Sequence, residues 1–192
     1  MPRRASPLQP VEYAVLGLLW LSPRHGYELA SEFQVGASLA SALAVGLHDL
    51  YPALKRLESR ALTEGQLKPQ ESRPPRRVYH LTTAGREEFW RWLNQPVRRN
   101  REVRLDFVLK LYFSRQIPEH DSAGLVSAQL AACREQLERL EAEHAVASDF
   151  ARLMRELRLI ATRGTIAWLA DHAADFARGK PVAESKVGAC EV

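Results

Sequence analysis

Between residues 11 and 21 the apolar side chains Val11, Ala14, Val15, Leu18, Leu19 and Leu21 recur at helical spacing, which predicts a buried first helix. Ser22-Pro23-Arg24-His25-Gly26 stops it. A second helix is predicted from Tyr27 to about Val35, with Tyr27, Leu29, Ala30 and Phe33 facing inward. Residues 36–45 are small and apolar and fit either a helical extension or a turn. A third helix follows from about Leu47 to Arg60, with Leu50, Leu54 and Leu57 as its apolar stripe. Pro52 is placed in its first turns, where a missing N–H costs little.

The period then changes from helical to two. Thr63 to Leu67 and Arg77 to Leu81 alternate as strands do, and the segment Lys68–Arg76 between them holds three prolines, which excludes regular structure there. A fourth helix begins at Thr82-Thr83-Ala84-Gly85, runs through Phe89, Trp90, Trp92 and Leu93, and ends at Asn94-Gln95-Pro96. After the basic residues Arg98, Arg99, Arg101 and Arg104 comes a compact apolar helix, Leu105 to Phe113, closed by Ile117-Pro118. Residues 121–178 contain no proline. Leu130, Cys133, Leu137, Leu140, His144, Ala147, Ala151 and Met154 fall three and four apart there, the seam a helix presents to a partner helix. Phe150, Leu153, Leu157, Ile160, Ala167 and Trp168 continue on an overlapping face, so two long helices with a break near residue 148 are expected.

The pattern divides the chain into a loose N-terminal arm (1–10), a compact unit (11–95), a helical unit (96–178) and a disordered tail (179–192). The fold class is mainly α with a small β-hairpin.

Composition narrows function only a little. A net charge of +4 suits nucleic acid or an acidic surface, as it does many other proteins. Cys133 and Cys190 offer neither a disulfide framework nor zinc-ligand spacing, which fits a reducing compartment. The N-terminus does not resemble a signal peptide, and the apolar run Ala14 to Leu21 is too short to span a bilayer, so a cytoplasmic protein without membrane contact is expected.

The placement of the charges says more. Asp49, Tyr51, Ala53, Lys55 and Arg56 lie on or near one side of the third helix, and Arg73, Arg76 and Arg77 cluster at the proline-stiffened turn. A helix followed by a basic hairpin is the plan of a winged helix-turn-helix. Its helix enters the major groove, and its cations neutralise phosphates. An amphipathic surface helix and a solvated loop share the same residues, but the position of the basic turn directly after the helix favours the first reading.

Trp90, Trp92 and Trp168 are candidates to line a pocket for a flat apolar effector, although core packing is the commoner use of such residues. The acidic run Glu135, Glu138, Glu141 and Glu143, interleaved with arginines, reads as a solvated face. Catalytic carboxylate pairs, nucleophile elbows, phosphate-cradling glycine loops and metal-ligand spacings are absent from the sequence, so no catalytic residue, metal or cofactor is expected.

The set Leu16-Gly17-Leu18-Leu19, His25-Gly26-Tyr27-Glu28-Leu29, Tyr51-Pro52-Ala53-Leu54-Lys55-Arg56-Leu57-Glu58 and Val78-Tyr79-His80-Leu81-Thr82-Thr83-Ala84-Gly85 resembles the PadR family of bacterial transcriptional regulators across roughly residues 11–93. The helical remainder resembles the longer PadR subfamily. The resemblance implies a homodimeric repressor in which a winged helix-turn-helix is joined to a C-terminal helical dimerisation domain. It would bind a pseudo-palindromic operator in double-stranded DNA and be released by a small aromatic or lipophilic effector. Tyr51 and Lys55 on the recognition helix, and Arg76 and Arg77 on the wing, are the DNA contacts it implies first. An adaptor that uses the same module for protein contact is the alternative. Two departures stand out. Ala61 replaces the glycine common after this helix, and Asp49 precedes Tyr51 where small hydroxylated residues are commoner. Ala61 predicts a blunter helix end, absorbed by a neighbouring residue.

Overall fold

The computed structural model describes residues 7–34, 36–43, 46–69, 76–143 and 148–177. Helix α1 (Pro10–Leu21) leads through the two-residue strand β1 (Arg24–His25) into α2 (Gly26–Ser31) and α3 (Ser38–Ala42). Helix α4 (Leu47–Ser59) precedes the hairpin β2 (Thr63–Lys68) and β3 (Arg76–Leu81), and α5 (Thr83–Leu93) completes the unit. The sheet is antiparallel in the order β1-β3-β2, with Arg24 opposite Tyr79 and Thr63 opposite Leu81. This is a winged helix-turn-helix with a three-stranded sheet. Next come α6 (Asn100–Glu102), a π-helical turn (Val103–Phe107) and α7 (Val108–Ser114), then α8 (Ser122–Ala142) and α9 (Asp149–Ala177), which pack as a hairpin. No helix among the described residues is long and apolar enough to cross a membrane.

Several sequence expectations change. The second helix is shorter than predicted, and Tyr27 is 82% exposed rather than inward. With α2 starting at Gly26, Tyr27 lies about 200° around the helix from the buried Leu29. The arm is not loose throughout, since Leu8 is buried and Gln9 caps α1. Pro52 is the sixth residue of α4, beyond the first turn, so the His48 carbonyl forgoes its i+4 donor. The Cys133–Leu140 seam of α8 packs against α9, so the partner helix that its spacing calls for lies in the same subunit. His144 and Ala147 lie outside the described residues, as do the tail and Arg73.

Two cores form, and α7 serves both. Leu109, Phe113 and Ile117 join the core of α1, α4 and α5, while Phe107 and Leu111 join Cys133, Leu169 and Phe176. A division of the chain at 95/96 therefore does not coincide with a division between cores. Gly17 makes the first junction possible: a Cβ there would lie 2.5 Å from the Phe113 ring. Lys110 is buried at the same junction, donates to the Gln95 carbonyl at 2.5 Å, and lies 4.9 Å from the Trp92 ring centre. Burial pushes its ammonium down to about 8.

Helix α4 is anchored in its last turn and at its C-terminal cap. Glu12, 3% exposed in the otherwise apolar α1, accepts the Gln9 N–H at 2.6 Å with one oxygen and the Arg56 Nε at 2.8 Å with the other. At its C-terminus the Leu62 N–H reaches the Leu57 carbonyl and the Ala61 N–H reaches the Glu58 carbonyl, both at 2.9 Å, a complete Schellman motif. Ala61 itself adopts the left-handed conformation, φ 54°, so the turn is as sharp as glycine would make it and no neighbour absorbs it. Thr82 Oγ1 donates to the Ala61 carbonyl at 2.7 Å and accepts the Gly85 N–H at 3.0 Å, which seats α5 on this turn. A Cβ at Gly85 would stand 1.9 Å from the Leu62 carbonyl oxygen.

Two stability outcomes follow. Ala61→Gly relieves a left-handed alanine and raises stability by about 0.5–1 kcal/mol after glycine's own entropy is counted, seen as a higher melting temperature; an unchanged or lower melting point contradicts the strain. Glu12→Ala strips two donors of their shared acceptor and costs about 2–3 kcal/mol in urea unfolding, whereas Glu58→Ala, in a half-exposed pair, costs about 1 kcal/mol or less. Equal costs would contradict the role given to Glu12.

Candidate nucleic-acid interface

Helix α4 buries Leu50, Ala53, Leu54 and Leu57, which leaves two exposed faces. Ala53, expected near the outer face, is thus part of the core side. Tyr51, Lys55 and Glu58 are spaced four and three apart and share the face bordering the wing. Asp49, Pro52 and Arg56 share the opposite flank and line a cleft of about 440 Å³ with Gln9, the cap of α1, and Leu105 of the π turn.

The wing is tied to α4 by a side chain that passes over a missing one. Arg77 on β3 reaches Glu58 at 2.6 Å, and its guanidinium lies 5.6 Å from the Tyr79 ring centre. Gly65 on β2 leaves the passage open, since a Cβ there would stand 2.1 Å from Arg77 Nε. The pair is partly exposed, so its value lies in fixing direction more than in energy.

The four described cations nominated from sequence therefore divide. Arg56 pairs with Glu12 and also donates to Gln9 Oε1 at 3.2 Å, and Arg77 pairs with Glu58. All four are exposed, but a buried and a half-buried carboxylate engage two of them. The side chains of Lys55 and Arg76 are exposed and form no ion pair or hydrogen bond with another described residue. Tyr51 is 49% exposed beside Lys55. Asp49 lies 3.2 Å from His48 Nε2 at the start of α4.

Sequence reasoning missed Glu12, Gly65 and Tyr27. A lone carboxylate inside an apolar helix is the one signal that pointed to Glu12, because a buried charge needs a partner. The partner, 44 residues away, has no sequence signature.

The three tryptophans nominated for an effector do not share a cavity. Trp92 is buried, stacked on Tyr13 with ring centres 4.4 Å apart. Trp90 stacks on Trp20 at 5.4 Å and meets His120 edge-on. Both belong to the winged unit's aromatic packing, as the commoner use of such residues has it. Trp168 stands apart on α9 against His172 and Phe176. It lines a groove of about 660 Å³ with Asn100, Arg101, Val103 and Arg104.

Comparison with known proteins adds family to architecture. Residues 15–91 match the model of the Transcriptional regulator PadR-like family, and residues 103–175 match the model described as Virulence activator alpha C-term. The negative transcriptional regulator PadR of Bacillus subtilis is 28% identical over 125 residues. That match covers 64% of this chain and 66% of the relative, just under two thirds of its length. Among solved structures, Bacillus subtilis PadR in complex with operator DNA is 24% identical over 88% of this chain and 99% of its own, with a TM-score of 0.43. The PadR-like transcriptional regulator BC1756 from Bacillus cereus is 20% identical over 90% of this chain and 99% of its own, at 0.41. The chain thus carries a PadR-like transcriptional-regulator domain over residues 15–91, followed over residues 103–175 by a region similar to the C-terminal part of virulence activator alpha.

Proposed function

We propose that the protein binds operator DNA as a homodimer, with α4 in the major groove and the β2–β3 wing on the flanking backbone, and acts there as a repressor. The observation that carries the reading is the pair of free cations, Lys55 and Arg76, beside Tyr51 on an edge whose helix is fastened on both flanks. Free cations on a rigid edge release counterions when phosphates take their place, without rupturing any internal ion pair. Arg56 and Arg77 act in this reading chiefly by positioning α4 and the wing. Arg73 stays a candidate wing contact, and Asp49 a candidate base contact, as an acceptor for cytosine. The name of the Bacillus subtilis relative, a negative regulator, supports repression.

The homodimer is supported by α9. Phe150, Leu153, Leu157, Ile160 and Trp168 are exposed along it, too many large apolar groups on one helix for a face meant for water. A second copy of this helix is the occupant we infer, since a two-fold dimer would also set two recognition helices for a pseudo-palindrome, about one DNA turn or a multiple apart. Effector release is supported by the groove between α6, the π turn and α9, whose Trp168 offers a flat apolar wall and whose Arg101 and Arg104 offer charge. A compound seated there would touch the segment that continues into α7, and α7 packs on α1.

Two measurements test this. On a duplex covering the protein's own promoter, Lys55→Ala and Arg76→Ala each weaken binding several-fold and lower the steepness of log K against log salt by about 2 per dimer, one phosphate per subunit; unchanged affinity and slope for both would overturn the assignment. In sedimentation equilibrium, Leu157→Asp with Ile160→Asp gives a folded monomer with weakened DNA binding. A dimer of undiminished stability would place the interface elsewhere.

A further inference from the structure

We infer that Tyr27 is a direct DNA contact, and that with Tyr51 and Arg76 it grips one backbone phosphate in a notch between α2, α4 and the wing; this rests on the DNA-binding reading above. The notch has a volume of about 340 Å³ and is lined by His25, Tyr27, Glu28, Tyr51, Arg76 and Arg77. Tyr27 is the most exposed of the described large hydrophobic residues, at 82%, yet it projects from a short helix whose other apolar residues, Leu29 and Ala30, are buried. Nothing in the fold requires an aromatic ring at this place. Neither its hydroxyl nor that of Tyr51 hydrogen-bonds to another described residue.

The walls are built to hold Tyr51 beside it. Gly26 lets the Tyr51 ring lie against the start of α2, because a Cβ there would meet Cε1 at 3.2 Å and the hydroxyl oxygen at 3.5 Å. Glu28 turns one carboxylate oxygen to the His25 N–H at 2.6 Å, which directs it without removing its charge, and Arg77 is held by Glu58. Arg76 is the guanidinium there with no partner among the described residues.

Two tyrosine hydroxyls able to donate, two flat rings and one free guanidinium suit a singly charged, tetrahedral anion flanked by apolar carbon. In a nucleic acid that is the phosphodiester between two deoxyriboses: the rings lie along the sugars, while the hydroxyls and guanidinium reach the phosphate oxygens. A free guanidinium also suits the O6 and N7 acceptors of a guanine edge, but two flanking tyrosine rings and hydroxyls add nothing to that readout.

The test is binding of the full-length protein, by fluorescence anisotropy, to its own promoter duplex and to a random-sequence duplex. Tyr27→Phe is expected to weaken both about five- to ten-fold, because a phosphate contact carries no sequence information. It leaves the salt slope unchanged, since a neutral hydroxyl displaces no counterion, while Arg76→Gln lowers it. A walk of single methylphosphonate substitutions across a half-site then identifies one position whose penalty in the wild type disappears in Tyr27→Phe. Circular dichroism melting of the variant matches the wild type, because the side chain touches little of the core. Wild-type affinity for Tyr27→Phe, or a loss confined to one DNA sequence, overturns the notch while the DNA reading stands on Lys55→Ala. A wild type that binds neither duplex overturns both.

Discussion

One buried carboxylate orients the surface on which the proposed function depends. Glu12 sits at the start of α1 inside apolar surroundings, where an unpaired charge costs several kcal/mol. Its two oxygens are both committed: one ends the chain of unpaired N–H groups at the start of α1, and the other receives the guanidinium of α4. Helix α4 thereby cannot rotate about its axis without exposing that charge to an apolar wall. On its other flank the Arg77–Glu58 pair fixes the wing against the same helix, across the gap left by Gly65. A surface meant for a regular duplex gains from this, since a recognition helix already in place loses little freedom on binding.

The division of labour among cations has the same origin. Arginine suits a pair with a carboxylate because its planar fork and permanent charge set direction, and the fold uses it for Arg56 and Arg77. The free positions are Lys55 and Arg76, each projecting from a residue whose backbone is fixed in α4 or β3. Behind this edge, α7 couples the two cores: Phe113 meets Gly17 of α1, and Leu111 meets the hairpin of α8 and α9. A change of packing at α9 therefore reaches the winged unit through contiguous side chains, although coupling of the two sites requires a second arrangement of α7 as well as contact.

Much of the fold was legible because long helices and paired strands leave periods in the sequence. The bounds of α1, α4, β2, β3 and α5 follow from spacing and from turn residues, and the break between α8 and α9 follows from a shift of the apolar face. Short elements leave no period, so the two-residue β1 and the five-residue α3 were invisible, and the π turn is a matter of hydrogen-bond register that side chains do not declare. The family's helix-ending glycine could be replaced by Ala61 without loss of the turn, because the Schellman bonds and the Thr82 hydroxyl hold the left-handed residue in place. At the candidate interface, residue type located the cations but not their partners. Arg56 and Arg77 look identical to free cations until Glu12 and Glu58 are brought beside them. Tyr27 reads as a core aromatic until the start of α2 fixes its direction, and the tryptophans, which sequence alone left between core and pocket, fall into separate packing groups.

Whether this edge meets DNA is decided by the wild-type protein alone, through the slope of log K against log salt on a duplex carrying its own promoter. Two unpaired cations in each of two subunits, every one meeting a phosphate, predict a slope near −4 or steeper. A slope shallower than about −1, with the protein folded and dimeric, would mean that this edge does not meet a nucleic-acid backbone.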